Sequence, residues 1–338
     1  MTLAQRIALL VQLGEYLVSG DEFLHAVMHR THYNNRWLTI ENCEKAVKAI
    51  AQSFLQKATL ENWAKQYEVK DEPTPKKVGI VMAGNIPLVG FHDLLAVFLA
   101  GHQAIIKLSD KDKFLMPHLI KKMGDWEAQS TPYFEVIERL TGFEAVIATG
   151  SNNSARYFEQ YFGKYPNIIR KNRNAIAVLD GTETKAELYA LGNDVFEYFG
   201  LGCRNVSKIY IPRGFKFEPL LEAFHEYNSI VLNTKYKNNF DYNYAMFMLN
   251  KVKYKANGCI LLIENEAITS RIASLHYEYY DKADNLVDAL NNRVEEIQCV
   301  VSKMNLPNIQ TVAFGKAQQP SLTDYADGVD TMEFLINL

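Results

Sequence analysis

VGIVMAGNIPLVGFHDLLAVFLAGHQAIIKLSD, residues 78–110, decides the fold. Residues 78–83 form an apolar run short enough to be a strand buried on both faces. Gly84-Asn85-Ile86-Pro87 breaks it, residues 88–100 carry apolar side chains at helical spacing, and residues 103–108 are a second apolar run. Strand, helix and strand in that order predict a βαβ unit with parallel strands. The alternation continues through a helix with Pro117 near its start, a strand at 144–149, a helix at 154–161 and a strand at 174–179. A parallel sheet with helices on both faces follows. Ligands of such sheets bind at the carboxyl ends of the strands. Those ends are Gly84-Asn85-Ile86-Pro87, Lys107-Leu108-Ser109-Asp110 and Thr149-Gly150-Ser151-Asn152, all polar or glycine-bearing.

Working outward, residues 1–70 read as helices. Leu3, Ile7, Leu10, Leu13 and Leu17 share one face before Ser19-Gly20, and Thr39 is an N-cap for a face containing Cys43, Val47, Ile50 and Phe54. A polar, Pro-containing junction at 71–76 precedes the first strand. Beyond a helix at 185–199, strands are predicted at 208–211, 259–263, 272–276, 298–302 and 311–314, with a helix at 282–297. Residues 234–257, rich in Asn, Tyr and Lys, read as loop or edge structure. The implied organisation is an N-terminal helical segment (1–70), a nucleotide-binding domain (76–182), a second α/β domain (183–316) and a C-terminal tail (317–338).

The chain has 338 residues, 48% of them apolar, and a net charge of −3. Nothing suggests a nucleic-acid or membrane electrostatic footprint. Cys43, Cys203, Cys259 and Cys299 form no C-x-x-C pair, and the N-terminus lacks the pattern of a signal peptide. A cytoplasmic protein with reduced thiols and no membrane span is expected. His92, His102 and His276 lack metal-ligand spacing and are assigned to helix faces and turns.

Cys203 stands in Phe199-Gly200-Leu201-Gly202-Cys203-Arg204-Asn205. A cysteine attacks carbonyl carbon as thiolate, which a neighbouring cation favours, and glycines let backbone and substrate approach closely. Taken alone, the segment fits a small buried hydrophobe better. Cys43, Cys259 and Cys299 lie in apolar patterns and are assigned to the core. Asn85 suits a turn, Lys107 an exposed strand end and Ser151 an N-cap.

In combination these residues resemble the aldehyde dehydrogenase superfamily. Asn85-Ile86-Pro87 is similar to its Asn-x-Pro motif, Ala100-Gly101-His102 through Lys107-Leu108-Ser109-Asp110 to its Ala-Gly-Asn and Lys-Pro-Ser-Glu strand, and Thr149-Gly150-Ser151 to its Thr-Gly-Ser turn. More closely, the chain resembles the LuxC-type acyl-CoA reductases, through Ile272-Ala-Ser-Leu-His-Tyr-Glu-Tyr-Tyr280 and Asp324-Tyr-Ala-Asp-Gly-Val-Asp-Thr-Met-Glu-Phe-Leu335. The resemblance covers roughly residues 78–335. It implies an aldehyde-dehydrogenase-like α/β fold and reduction of an acyl-CoA to an aldehyde. Cys203 would be the nucleophile, Asn85 and the Cys203 amide the oxyanion donors, and CoA the leaving group. Lys107, Ser109 and Asp110 would face the adenosine ribose, Gly150 and Ser151 the pyrophosphate, and Glu266 the nicotinamide ribose. The cofactor implied is NADPH, with NADH open because Asp110 stands where NAD-using members carry a carboxylate. An acyl-transferring synthetase partner and a homo-oligomer are also implied, the apolar tail at 331–338 being available for pairing.

Where hydrolytic aldehyde dehydrogenases carry the glutamate that activates water, this chain has Ile169-Arg170-Lys171-Asn172-Arg173. Lack of a general base there suits an enzyme that must keep its acyl intermediate from water. The basic cluster itself reads as a solvated face, with CoA or nucleotide phosphates as the alternative ligand. Two other functions stay open: an acyl-CoA-binding subunit without turnover, and a cysteine acyltransferase or thioesterase without nicotinamide.

Overall fold

The computed structural model describes the backbone of residues 1–338 and the side chains of all but residues 283 and 284. The chain forms two compact units, residues 1–172 with 320–338, and residues 173–319.

The first unit opens with α1 (Leu3–Leu17), α2 (Glu22–Asn34), α3 (Ile40–Ser53) and α4 (Lys57–Gln66). Thr2, Asp21 and Thr39 cap the first three, each accepting a hydrogen bond from a backbone N–H of the first turn. Then come β1 (Lys77–Val81), α5 (Phe91–Leu99), β2 (Gln103–Lys107), α6 (Leu115–Trp126), β3 (Phe134–Val136), β4 (Ala145–Thr149), α7 (Asn152–Phe162) and β5 (Asn167–Arg170). Among the described residues these strands make one parallel sheet of order β3-β2-β1-β4-β5. Strand β1 is central because Val78 and Ile80 are apolar and buried, on a segment whose neighbours β2 and β4 are equally apolar. Buried Arg6 pins the helices to this sheet's lead-in, donating to the carbonyls of Met1, Lys70, Asp71 and Leu99.

The second unit holds β6 (Asn174–Val178), α8 (Lys185–Phe196), β7 (Val206–Pro212), α9 (Phe217–His225), α10 (Thr234–Leu249), β8 (Tyr254–Ala256), β9 (Leu261–Glu264), β10 (Ser274–Tyr280), α11 (Ala283–Asn291), β11 (Ile297–Val301) and β12 (Thr311–Val312). Its sheet runs β12-β11-β6-β7-β10-β9-β8, parallel except for the edge strand β8. Returning to the first unit, α12 (Thr331–Ile336) packs on α5.

Three sequence expectations change. Strand β6 does not complete the first sheet; it lies between β11 and β7 of the second. Its Ala175 and Ala177 face one core and Ile176 and Val178 another, which a doubly covered central strand requires. Residues 234–249 are helix, not loop: Asn233 caps the first turn, and Tyr236, Phe240, Asn243 and Phe247 bury one face at spacings of 4, 3 and 4. The tail's Met332 and Leu335 are spent inside the first unit, fully buried.

Candidate active site

In the first unit, the parallel pairing of β2, β1 and β4 puts their carboxyl ends side by side. Asn85, Lys107 and Gly150 therefore leave neighbouring strands at one sheet edge. The edge is tightly built around Gly84. A Cβ there would come 2.6 Å from Ser109 Oγ and 3.1 Å from the Asp112 amide nitrogen, so only glycine lets the two loops meet. Asp112, which the sequence reading missed, holds the turn after Asn85. Its carboxylate accepts the Leu88 N–H at 2.9 Å, and Leu88 has φ +55°. Burial pushes the Asp112 carboxyl up to about 6.

Lys107 is half-buried, with Nζ donating to the Leu108 carbonyl at 3.0 Å. Asp110 is exposed, and its backbone carbonyl accepts from Asn34 Nδ2. Ser151 caps α7, accepting the Ser154 N–H, and no acidic side chain occupies the helix's first turn. A Cβ at Gly150 would lie 2.8 Å from both Phe158 and Ser154 Cβ, another close approach that only glycine allows. A nucleotide fits this edge: two glycine-dependent approaches, a lysine and an uncluttered helix N-terminus suit a phosphate-bearing ligand.

Only part of the basic cluster is a solvated face: Lys171 is exposed, but Arg170 is not. Arg170 is buried and bonded to Asp93 at 2.6 Å and to Thr331 Oγ1 at 2.9 Å. Lys171 pairs with Glu159, while Arg173 lies in the second unit and donates to the Val294 carbonyl.

In the second unit, Cys203 lies on the turn between α8 and β7, half-buried. The helix predicted to residue 199 stops at Phe196, because Tyr198 (φ 51°), Phe199 (φ 61°) and Gly200 (φ 74°) are left-handed. For Tyr and Phe that conformation costs roughly 1–2 kcal/mol per residue. Asn205, buried to 1% exposure, holds the turn in place. Its Oδ1 accepts the Gly202 N–H at 2.8 Å, and its Nδ2 donates to the carbonyls of Asp194 at 3.1 Å and Glu197 at 2.8 Å. A Cβ on Gly202 would meet that Oδ1 at 2.9 Å. Asp194 anchors the neighbouring segment by accepting the Gly315 and Ala317 amides, and Arg204 donates to the Ala317 carbonyl. Burial pushes the Asp194 carboxyl up to about 6. Neither Asn205 nor Asp194 carries a sequence signal beyond proximity to Cys203.

The other thiols differ in kind. Burial pushes Cys43 and Cys259 each up to about 12, so both stay protonated. Cys299 is partly buried on β11. Glu266, on the loop after β9, has an exposed side chain, and its backbone carbonyl accepts from Lys208 Nζ and Arg293 Nη1. His276 is on strand β10 rather than on a helix or turn, with Nδ1 against the Ala267 carbonyl. Among the described residues no cluster could hold a metal, and no helix is long and apolar enough to cross a membrane.

Residues 21–162 match the family described as acyl-CoA reductase (LuxC). Long-chain acyl-protein thioester reductase 2 of Photobacterium leiognathi is 23% identical over 266 residues, covering 71% of this chain and 55% of the relative. The Vibrio harveyi long-chain acyl-protein thioester reductase is 23% identical over 304 residues, covering 82% and 62%. The chain thus spans little more than half the length of these relatives. Aldehyde dehydrogenase 21 from Physcomitrella patens superposes with a TM-score of 0.72 at 12% identity, over all of this chain and 84% of that one. The NAD-dependent aldehyde dehydrogenase from Sinorhizobium meliloti gives 0.66 at 12%, over 94% and 72%. In sequence the chain is similar to the LuxC acyl-CoA reductases, and its fold is that of the aldehyde dehydrogenases.

Proposed function

We propose that this chain reduces a fatty acyl thioester to the aldehyde through a thioester on Cys203. The observation that carries the reading is the strained turn bearing a half-buried cysteine and clamped by the buried Asn205, whereas burial elsewhere in the chain keeps Cys43 and Cys259 protonated. Strain of this kind persists only where the surroundings enforce it, and it concentrates at working sites. The LuxC family match and the names of the relatives support the acyl substrate. The acyl group arrives as a CoA thioester or as a thioester of a carrier protein, which present the same carbonyl.

The Cys203 thiolate forms a C–S bond to the acyl carbon, and the donor thiolate, CoA in the simplest case, leaves with the electrons of the broken C–S bond. The Asn85 amide and the Cys203 N–H are the proposed donors to the oxyanion, and loss of one such donor costs about 3–4 kcal/mol. A reduced nicotinamide, when bound, supplies hydride to the acyl carbon. Collapse of the resulting adduct breaks the bond to Cys203, restores its thiolate and frees the aldehyde. Lys107, Ser109 and Asp110 are proposed to hold the adenosine ribose, Gly150 and Ser151 the pyrophosphate, and Glu266 the nicotinamide ribose. NADPH is the proposed cofactor, with NADH the comparison. No carboxylate stands in residues 169–173 to activate water against the acyl-enzyme. An acyl-transferring synthetase partner and a homo-oligomer belong to the same reading.

The test is consumption of NADPH and NADH by wild type and Cys203→Ala across acetyl-CoA to palmitoyl-CoA, with intact-mass analysis of the protein. Aldehyde formed by wild type alone, with an acyl adduct on Cys203, supports the reading. An adduct without nicotinamide consumption points to an acyltransferase or thioesterase. Nucleotide binding with no adduct from any donor, a loaded carrier protein included, points to a binding subunit.

A further inference from the structure

Two cavities flank α1 in the first unit. One of about 780 Å³ opens between α1, α2 and α3; another of about 790 Å³ lies on the α4 side, and both reach Val11 and Glu15. The floor of the first is apolar: Val11, Leu17, Leu24, Met28, Val47 and Leu55. It is fixed by Gly14, where a Cβ would come 2.8 Å from Leu55 Cβ, so α1 rests directly on that residue. The rim is acidic. Glu15, Asp21, Glu22 and Glu44 stand against Lys48 and His25, and His25 already pairs with Glu44 at 3.6 Å. On the α4 side Glu61 and Asp71 stand against Lys57. Val18 on the rim is 55% exposed and neighbouring Phe23 is 73% exposed, large apolar groups that nothing in the unit covers.

An apolar trough walled by helices about 20 Å long is the shape that receives another helix. Charge then selects the occupant. A second copy pairing about a two-fold axis would set this acidic rim against itself. A free fatty acid would bring a carboxylate to a carboxylate rim. We propose that the groove docks an amphipathic helix of a partner protein, with an apolar face flanked by Lys or Arg. The inference does not depend on the chemistry assigned to Cys203.

The probe is a fluorescein-labelled Leu/Lys helix of roughly 14 residues, matched to the groove length, and a counterpart with Glu for Lys, titrated against the full chain by anisotropy. The Lys probe is expected to bind saturably, more weakly as salt rises, and the Glu probe not to bind. Gln52→Trp, at an exposed wall position, fills the groove and should weaken the Lys probe by about tenfold or more. Combined Glu15→Lys, Glu22→Lys and Glu44→Lys, all at exposed positions, should transfer preference to the Glu probe. Melting temperatures report that both variants fold, and hydrogen exchange should show protection confined to α1, α2 and α3. Equal binding of the two probes, or binding indifferent to both variants, overturns the proposal. So does self-association that Gln52→Trp abolishes, which would make a second copy the occupant.

Discussion

Asn205→Ala tests whether one buried amide supports the nucleophile turn. The substitution removes the acceptor of the Gly202 N–H and the donor to the carbonyls of Asp194 and Glu197, all at a residue 1% exposed. Each buried backbone group left without its partner costs roughly 1–3 kcal/mol. Some water enters the vacated space, so the total is about 4 kcal/mol rather than the full sum. The left-handed Tyr198 and Phe199 then lose the ties that offset their strain, and the turn relaxes. Residues 173–319 are 147 residues (319 − 173 + 1). For a unit of that size the loss lowers the melting temperature by roughly 10 °C. Scanning calorimetry reads the shift, and the rate of Cys203 alkylation, followed by mass spectrometry, reports the turn itself. Asn205→Asp separates the contributions. It keeps an acceptor for Gly202 but sets a carboxylate against two carbonyl oxygens, so it should be at least as damaging at neutral pH and recover in acid. A melting temperature for Asn205→Ala within ~2 °C of wild type, with unchanged alkylation, would refute the reasoning.

Arg170→Ala should cost about 3–5 kcal/mol, since it strands Asp93 as a buried charge, whereas Arg170→Met with Asp93→Leu should be far milder; melting of the three proteins checks this. Asp112 and Asp194 carry folded-state pKa values near 6, above the unfolded value of 3.8. The folded state therefore holds extra protons between those values, and stability from these groups rises as pH falls from about 6 to about 4. Asp112→Asn should remove its part of that slope and raise stability at neutral pH by up to about 3 kcal/mol, measured by denaturation across pH. Gly84→Ala should push Ser109 and the Asp112 backbone aside and weaken nicotinamide nucleotide binding by about tenfold, read by calorimetric titration.

The middle of the first sheet was legible because β1, β2 and β4 are short apolar runs buried on both faces, whereas the less buried edge strands β3 and β5 carry no such run and were not foreseen. Strand β6 has the same signature, yet periodicity says nothing about which sheet a strand joins, and it joined the other. Helix α10 hid behind Asn, Tyr and Lys because only Tyr236, Phe240, Asn243 and Phe247 meet the core. At the site, glycines and the cysteine stand out by type. Asn205, Asp194 and Asp112 do not: Asp194 and Asp112 act on backbone groups 24 to 123 residues away, and Asn205 on a local turn whose path no residue type announces. Arg170 misled for the converse reason: its partners Asp93 and Thr331 are 77 and 161 residues away along the chain.

The first unit is discontinuous, and residues 320–338 return to it after the second unit ends. Its closing contacts include Trp63 Nε1 donating to Tyr325, His92 against the Leu322 carbonyl, and Met332 and Leu335 in the core. During synthesis the ribosome releases the whole of the second unit before this clasp exists. The unit begun first is thus completed last, and until then α5 keeps an uncovered apolar side. A nascent chain in that interval is a natural client for chaperones, and a stall or frameshift late in the message should strand an aggregation-prone first unit beside a fully folded second one.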